Sequence, residues 1–125
     1  MKKIILDSNF LTIPYQFNID IFEEIDRIME EEYELMTLDG VIEELKKIKK
    51  SKGKDAVAAS IGLELIKKKN VRIIKTDEKS VDNAIIKIAD KDTIVATNDR
   101  ELRQKLKNKN VKSIYLRNKK YLEMG

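Results

Sequence analysis

Residues 81–102 read VDNAIIKIADKDTIVATNDREL. Val81, Ile85, Ile86 and Ala89 recur at helical spacing behind Ser80, so a helix is expected from Ser80 to about Ala89. Asp90–Asp92 interrupts it. Thr93–Thr97 (TIVAT) is then an unbroken apolar run rich in β-branched residues, the signature of a strand buried on both faces. Asp99 caps a second helix that runs to about Leu106 or Lys107. A helix that feeds a fully buried strand, followed at once by another helix, is the repeating unit of a parallel α/β sheet.

The same alternation extends outward in both directions. Lys3–Leu6 (KIIL) is a short apolar strand stopped by Asp7. Pro14 breaks the segment from Ser8 to Asn18, which reads as a turn with a short helical piece. Asp20 starts a helix carrying Ile21, Phe22, Ile25, Ile28 and Met29, and Tyr33–Thr37 (YELMT) is a second strand. Gly40–Lys50 and Asp55–Lys69 are helices joined around Gly53, Val71–Lys75 is a third strand, and Lys112–Leu116 (KSIYL) a fifth after Thr93–Thr97. The expectation is one α/β domain over residues 1–125, a three-layer α/β/α sandwich around a mainly parallel five-stranded sheet.

Composition removes whole classes of chemistry. The chain has 125 residues, no Cys and no His. Disulfides, zinc fingers, thiol nucleophiles and histidine-based triads are therefore excluded. Any catalysis must run on carboxylates, lysines, hydroxyls or a metal held by oxygen. MKKIILDSNF has too short an apolar run for a signal peptide, and nothing approaches the ~18 apolar residues of a membrane span. A cytoplasmic protein with no membrane partner is expected.

Charge is unevenly placed. The first 62 residues carry 9 basic and 13 acidic side chains, the remainder 17 and 9. Asp20–Glu34 holds eight acids, whereas Lys46–Lys54 holds six lysines and Arg100–Lys120 nine basic residues. Such asymmetry suits a polyanion on one face, although lysine-rich helices also serve simply as solvated faces.

Acids gather where a parallel sheet binds ligands, beyond the carboxyl ends of its strands. Asp7 follows the first strand directly, and Asp99 lies two residues past Thr97. The Ser80 helix runs antiparallel to the strand that follows it, which returns Asp82 to the same edge. The Gly40 helix starts there too. At about 100° per residue with Val41 at zero, Leu45 falls near 40° and Ile48 near 340°. On that wheel Glu44 lies near 300°, flanking the core face, while Glu43 lies near 200° and faces away. Each acid also has a plain structural use: Asp99 as a helix cap, Asp82 as a first-turn acid, Asp7 in a turn, Glu44 among lysines. Four of them at one crevice repel each other, and a divalent cation held by carboxylates and water, Mg²⁺ or Mn²⁺, would offset that repulsion. Asp77 and Asp92, near the third acid in sequence, are further candidates for the same cluster.

These segments carry a family likeness over nearly the whole chain. LDSNFL resembles the Asp-Thr-Asn opening of PIN-domain ribonucleases, with Ser8 in place of threonine. VIEEL resembles their Val-x-x-Glu-Leu helix start, which maps the glutamate to Glu44; VDNAI resembles the segment of the third acid, Asp82. ATNDREL resembles the Thr-x-Asp segment of the fourth acid, Asp99, and VKSIYLR the closing strand. The resemblance implies an endoribonuclease that hydrolyses RNA phosphodiesters with Mg²⁺ or Mn²⁺ held by Asp7, Glu44, Asp82 and Asp99. Ser8, Asn9 and Thr97 would support those acids. Lys46, Lys49, Arg100 and Arg103 are the candidates for gripping the RNA backbone.

Two family roles are compatible with the chain: a toxin ribonuclease with an antitoxin partner, and an rRNA-processing endonuclease with ribosome-assembly partners, the second favoured by the ATNDREL and IYLR segments. A homodimer is plausible in either. Other α/β phosphoryl-transfer classes fit poorly. A haloacid-dehalogenase-like site needs a second Asp where Asn9 stands, and the glycines at 40, 53, 62 and 125 cannot form a P-loop. The remaining alternative is a non-catalytic PIN domain that binds RNA or protein.

Overall fold

Thr93–Ala96 is buried along its entire length, as its unbroken apolar run requires. In the computed structural model, which describes residues 1–125, this segment lies at the heart of a six-stranded sheet. In chain order the elements are β1 (Lys2–Leu6), α1 (Ser8–Leu11), α2 (Ile13–Phe17), α3 (Ile21–Ile28), β2 (Tyr33–Leu38), α4 (Asp39–Lys49), α5 (Lys54–Lys68) and β3 (Arg72–Ile74). They continue with α6 (Val81–Ile88), β4 (Thr93–Ala96), α7 (Arg100–Asn108), β5 (Lys112–Arg117) and β6 (Tyr121–Met124).

The strands lie in the order β3-β2-β1-β4-β5-β6. The first five are parallel, with Ile5 beside both Met36 and Val95. Burial follows from this arrangement. Ile4, Ile5 and Leu6 are shielded on both faces, and Phe10, Leu11, Ile25, Leu45, Ile85 and Leu102 come from the covering helices to complete one core. α1, α2, α4 and α5 pack together, and α6 packs with α7, giving a three-layer α/β/α sandwich. No helix is long and apolar enough to cross a membrane.

The sheet has one strand more than the sequence led us to expect. β6 pairs antiparallel with β5, Arg117 opposite Tyr121. The reversal is made by Asn118 and Lys119, both at positive φ of 53° and 56°. Consecutive positive φ values make a hairpin turn of the primed type, whose twist matches the strands it joins. A charged RNKK run with no glycine hides that turn from sequence reasoning. Ser8–Asn18 also differs from expectation: it is two short helices, with Pro14 tolerated in the first turn of α2.

Candidate active site

Chain direction over the sheet reverses between β1 and β4. β1 leads leftward to β2 and β3, whereas β4 leads rightward to β5. At such a switch point the loops on either side part and leave a crevice at the carboxyl edge. Asp7 leaves β1 into it, and Thr97–Asp99 leaves β4 into it.

Asp7 is almost wholly buried, at 4% exposure. Its Oδ1 accepts from the Ser8 amide at 2.8 Å. Its Oδ2 accepts from Thr97 Oγ1 at 2.7 Å and from Asn9 Nδ2 at 3.2 Å. Thr97 and Asn9 thus work as struts across the crevice. Asn9 Oδ1 also takes the Asn98 amide at 2.9 Å, and Thr97 Oγ1 takes the Asp99 amide at 3.2 Å. Asn98 Oδ1 in turn accepts from the Leu116 amide, tying the turn after β4 to β5.

The other acids face Asp7 from three elements. Ser8 Oγ donates to Glu44 Oε2 at 3.3 Å, which turns this rim carboxylate of α4 inward. Asp82 is half-buried in the first turn of α6. The starts of α4 and α6 are close neighbours: a Cβ on Gly40 would stand 2.8 Å from Val81 Cγ2. Asp99 is the cap expected of it, Oδ1 accepting from the amides of Glu101 at 2.9 Å and Leu102 at 3.2 Å. Its cap role and its place in the crevice coexist, since capping uses only Oδ1.

The acids feel one another. Burial pushes the Asp7 carboxyl above its ordinary range, and the charges of Asp82 and Asp99 add to the push against the lowering hydrogen bonds from Thr97 and Ser8. Glu44 is raised by desolvation and then by Asp7. Asp82 is raised by desolvation and then by Asp99. Lys47 and Lys105 relieve Glu44 and Asp82 only in part. As the side chains stand, no group of three or more acids is arranged to hold a metal ion.

Asp92 lies at the other end of β4, where it pairs with Lys2 at 3.9 Å. Asp77 is exposed in the β3–α6 loop, and Glu43 points outward to Lys46 at 3.8 Å. None of the three joins the crevice. Glu101 is exposed on the first turn of α7 and pairs with Lys105 at 3.5 Å, and its charge helps to raise Asp82.

Beside Glu44 and Asp82 opens a groove of about 1040 Å³ between α4 and α6. It is lined by Lys46, Lys47, Lys49, Lys50 and Lys79, with Val81 its only apolar residue. Lys46 and Lys49 thus line a basic groove beside the acids, together with Lys47 and Lys50 of the same lysine cluster and Lys79 from the loop before α6. Arg100 is exposed at the start of α7. Arg103 is half-buried, its Cζ 3.4 Å from the centre of the Tyr115 ring.

Comparison with known proteins agrees with this architecture. A family profile described as "PIN like domain" matches residues 4–119. The chain is 36% identical to Ribonuclease VapC4 of Methanocaldococcus jannaschii, covering 99% of this chain and 97% of that protein. Its fold matches the PIN domain endonuclease Utp24 with a TM-score of 0.77 at 23% identity, over 98% of this chain and 90% of that one. VapBC-1 from nontypeable Haemophilus influenzae matches at a TM-score of 0.50 and 14% identity, over 85% and 93% of the two chains. The family profile and the curated relative each span nearly the whole domain, and on that ground the chain belongs to the PIN-domain ribonuclease family.

Proposed function

We propose that this protein is a metal-dependent endoribonuclease whose site is Asp7, Glu44, Asp82 and Asp99. The observation that carries the proposal is the setting of Asp7: a buried carboxyl at the switch point, raised by burial and by the charges of Asp82 and Asp99. Repelling carboxylates with no arginine between them form a donor set of hard oxygens, which fits Mg²⁺ or Mn²⁺. Glu44, already turned inward by Ser8, and half-buried Asp82 would complete that set around a cation. A bound ion would supply Lewis-acid chemistry at the phosphodiester.

The chain's own groups do the rest. Thr97, Ser8 and Asn9 hold Asp7 in one orientation, so its position is set before substrate arrives. A carboxylate of this set would take the proton from the attacking water, a role open to a chain without histidine. Lys46, Lys49 and the lysines around them draw the RNA backbone toward the acids, and Arg100 meets it on the α7 side. RNA as the substrate is supported by the relative named a ribonuclease at 36% identity. That relative also favours a toxin-type ribonuclease with an antitoxin partner over an rRNA-processing enzyme, which has only a likeness of fold behind it.

The test is cleavage of an end-labelled structured RNA with Mn²⁺ or Mg²⁺, with EDTA, and with an Asp7→Asn, Asp99→Asn double variant. Cleavage that needs the cation and disappears in the variant is expected. Cleavage equal in wild type and variant would mark a contaminant and overturn the assignment of the site.

A further inference from the structure

Arg27, Arg72 and Arg117 each pair with a carboxylate, Glu24, Glu34 and Glu123 respectively. Arg103, like the exposed Arg100, makes no such pair, and it differs from Arg100 in its burial. It is half-buried, and its Nε is shielded from solvent without any hydrogen-bond partner. A buried donor left unmet is a cost that native structures rarely carry without a use. The guanidinium is nevertheless held in place over the Tyr115 ring, its Cζ 3.4 Å from the ring centre. The ring is itself fixed, because Tyr115 Oη donates to Glu123 at 2.9 Å.

Its location follows from the backbone. Arg103 stands one helical turn past Asp99, its amide donating to the Asp99 carbonyl at 2.9 Å. The stretch of β5 that carries Tyr115 is strapped to the turn after β4: Thr97 N donates to Ile114 O at 2.9 Å, and Leu116 N donates to Asn98 Oδ1 at 2.9 Å. The stacked pair therefore lies one helical turn along α7 from Asp99, over β5 and on the side of β4 away from the lysine groove.

A planar guanidinium presents a rigid fork of donors that matches phosphate oxygens two at a time, and stacking on an aromatic face preorganises it. Flexible lysines attract a polyanion without fixing its orientation. We propose that Arg103, stacked on Tyr115 one helical turn along α7 from Asp99, is a preset clamp for a backbone phosphate of the RNA, orienting the strand that enters the crevice from the side opposite the lysine groove. The proposal rests on RNA being the substrate, as proposed above. An acidic protein partner would also suit the fork, but it offers no linkage to be positioned for cleavage.

Binding and cleavage separate the possibilities. Affinity for a fluorescent single-stranded RNA is measured in EDTA, where cleavage is silent, as a function of salt. Arg103→Met keeps the apolar stem on Tyr115 and is expected to bind about tenfold more weakly, with the log–log salt slope reduced by roughly 0.7. Arg103→Lys should recover the salt slope but not the cleavage rate in Mn²⁺, the loss appearing in kcat because the fork is gone. If Arg103→Met binds and cleaves as wild type does, the clamp is wrong. If Arg103→Lys restores full kcat, charge alone suffices and the orienting role is overturned. Should Arg103→Met fail to fold, Arg103→Lys alone still decides the matter. A wild type that binds RNA in an Arg103-dependent way yet cleaves nothing would sink the nuclease reading and the orienting role with it, while the phosphate contact at Arg103 stands.

Discussion

Thr97 Oγ1 donates to Asp7 Oδ2 at 2.7 Å across ninety residues of sequence, joining the end of β4 to the end of β1. Both side chains are buried, and the same hydroxyl oxygen accepts from the Asp99 amide at 3.2 Å. One threonine therefore sets the spacing of two acids.

Thr97→Val removes this donor and acceptor while keeping the shape. It leaves the Asp99 amide unmet and Asp7 with one donor fewer, a loss of about 1–3 kcal/mol. At roughly 4 °C per kcal/mol for a domain of this size, the melting temperature should fall by about 4–12 °C. The Thr97 bond lowers the pKa of Asp7, so its loss raises it. Activity that needs ionised Asp7 should then fail at a higher pH, seen as an upward shift of the acid limb of the pH–rate profile. Thr97→Ser should restore both properties. An unmoved acid limb in Thr97→Val would refute the coupling.

Asp7 itself should cost stability when no cation is present. Its folded pKa is raised above the ordinary 3.8. A group shifted this way contributes its full stability below its unfolded pKa, and that contribution is lost as pH rises through the folded value. Near neutral pH the metal-free fold therefore carries an unfavourable charge, and Asp7→Asn should melt higher, by about 4 °C if roughly 1 kcal/mol is recovered. Mn²⁺ or Mg²⁺ should raise the melting temperature of wild type by binding the folded state, and should leave Asp7→Asn unmoved. Scanning calorimetry with EDTA and with added cation reads both effects. A variant that melts lower without metal would show that its hydrogen bonds outweigh the repulsion.

The contrast between Asp99 and Arg103 shows what was legible in the sequence. Asp99 could be placed because a strand end and a cap fix a residue within one turn, whatever the side chain later meets. By the same logic Asp7, Asp82 and Glu44 were traceable to one edge, and the outward direction of Glu43 followed from helical angle. Arg103 was legible only as a positive charge near Asp99. Its stacking on Tyr115 depends on how α7 lies over β5, which no local pattern encodes. β6 escaped for a related reason: Asn118 and Lys119 take positive φ without a glycine to announce it. Asp92 illustrates the reverse, an acid close to the site in sequence but carried to the opposite end of β4 by the strand itself.

Gly62 should resist substitution. α5 crosses α1 there, and an added Cβ would stand 2.9 Å from the Leu11 carbonyl oxygen and 3.4 Å from Leu11 Cβ. The obstacle is backbone, so α1 or α5 must move. Overpacking of this kind costs about 1–3 kcal/mol, against a gain in helix propensity of up to roughly 1 kcal/mol for Gly→Ala. Gly62→Ala should therefore lower the melting temperature. α1 begins at Ser8, whose hydroxyl holds Glu44. RNA cleavage should accordingly fall further than the lost stability explains when assayed well below the melting temperature. A variant as stable and active as wild type would mean that the helices slide apart freely at this crossing.

β6 closes the sheet as an edge strand, and its free edge is covered by α3 rather than left to pair with another chain. Leu122 N donates to Glu24 Oε1 at 2.9 Å, and Leu122 O accepts from Arg27 at 2.9 Å. Arg27 Nε closes the clamp on Glu24 Oε2 at 2.7 Å. The Arg27 hydrogen bond holds the Glu24 carboxyl below its ordinary 4.5. A depressed carboxylate contributes its stability above the unfolded pKa and loses it as pH falls through the folded value. The clamp should therefore be intact at neutral pH and release in acid below about pH 4.5. Hydrogen exchange at the Leu122 amide reads this directly. Its protection should fall in acid before that of Ile5 or Val95 in the sheet centre, and Glu24→Gln should remove the pH dependence while exposing the amide more at every pH. Equal protection of Leu122 in wild type and Glu24→Gln would show that the pairing of β6 with β5 holds the edge unaided.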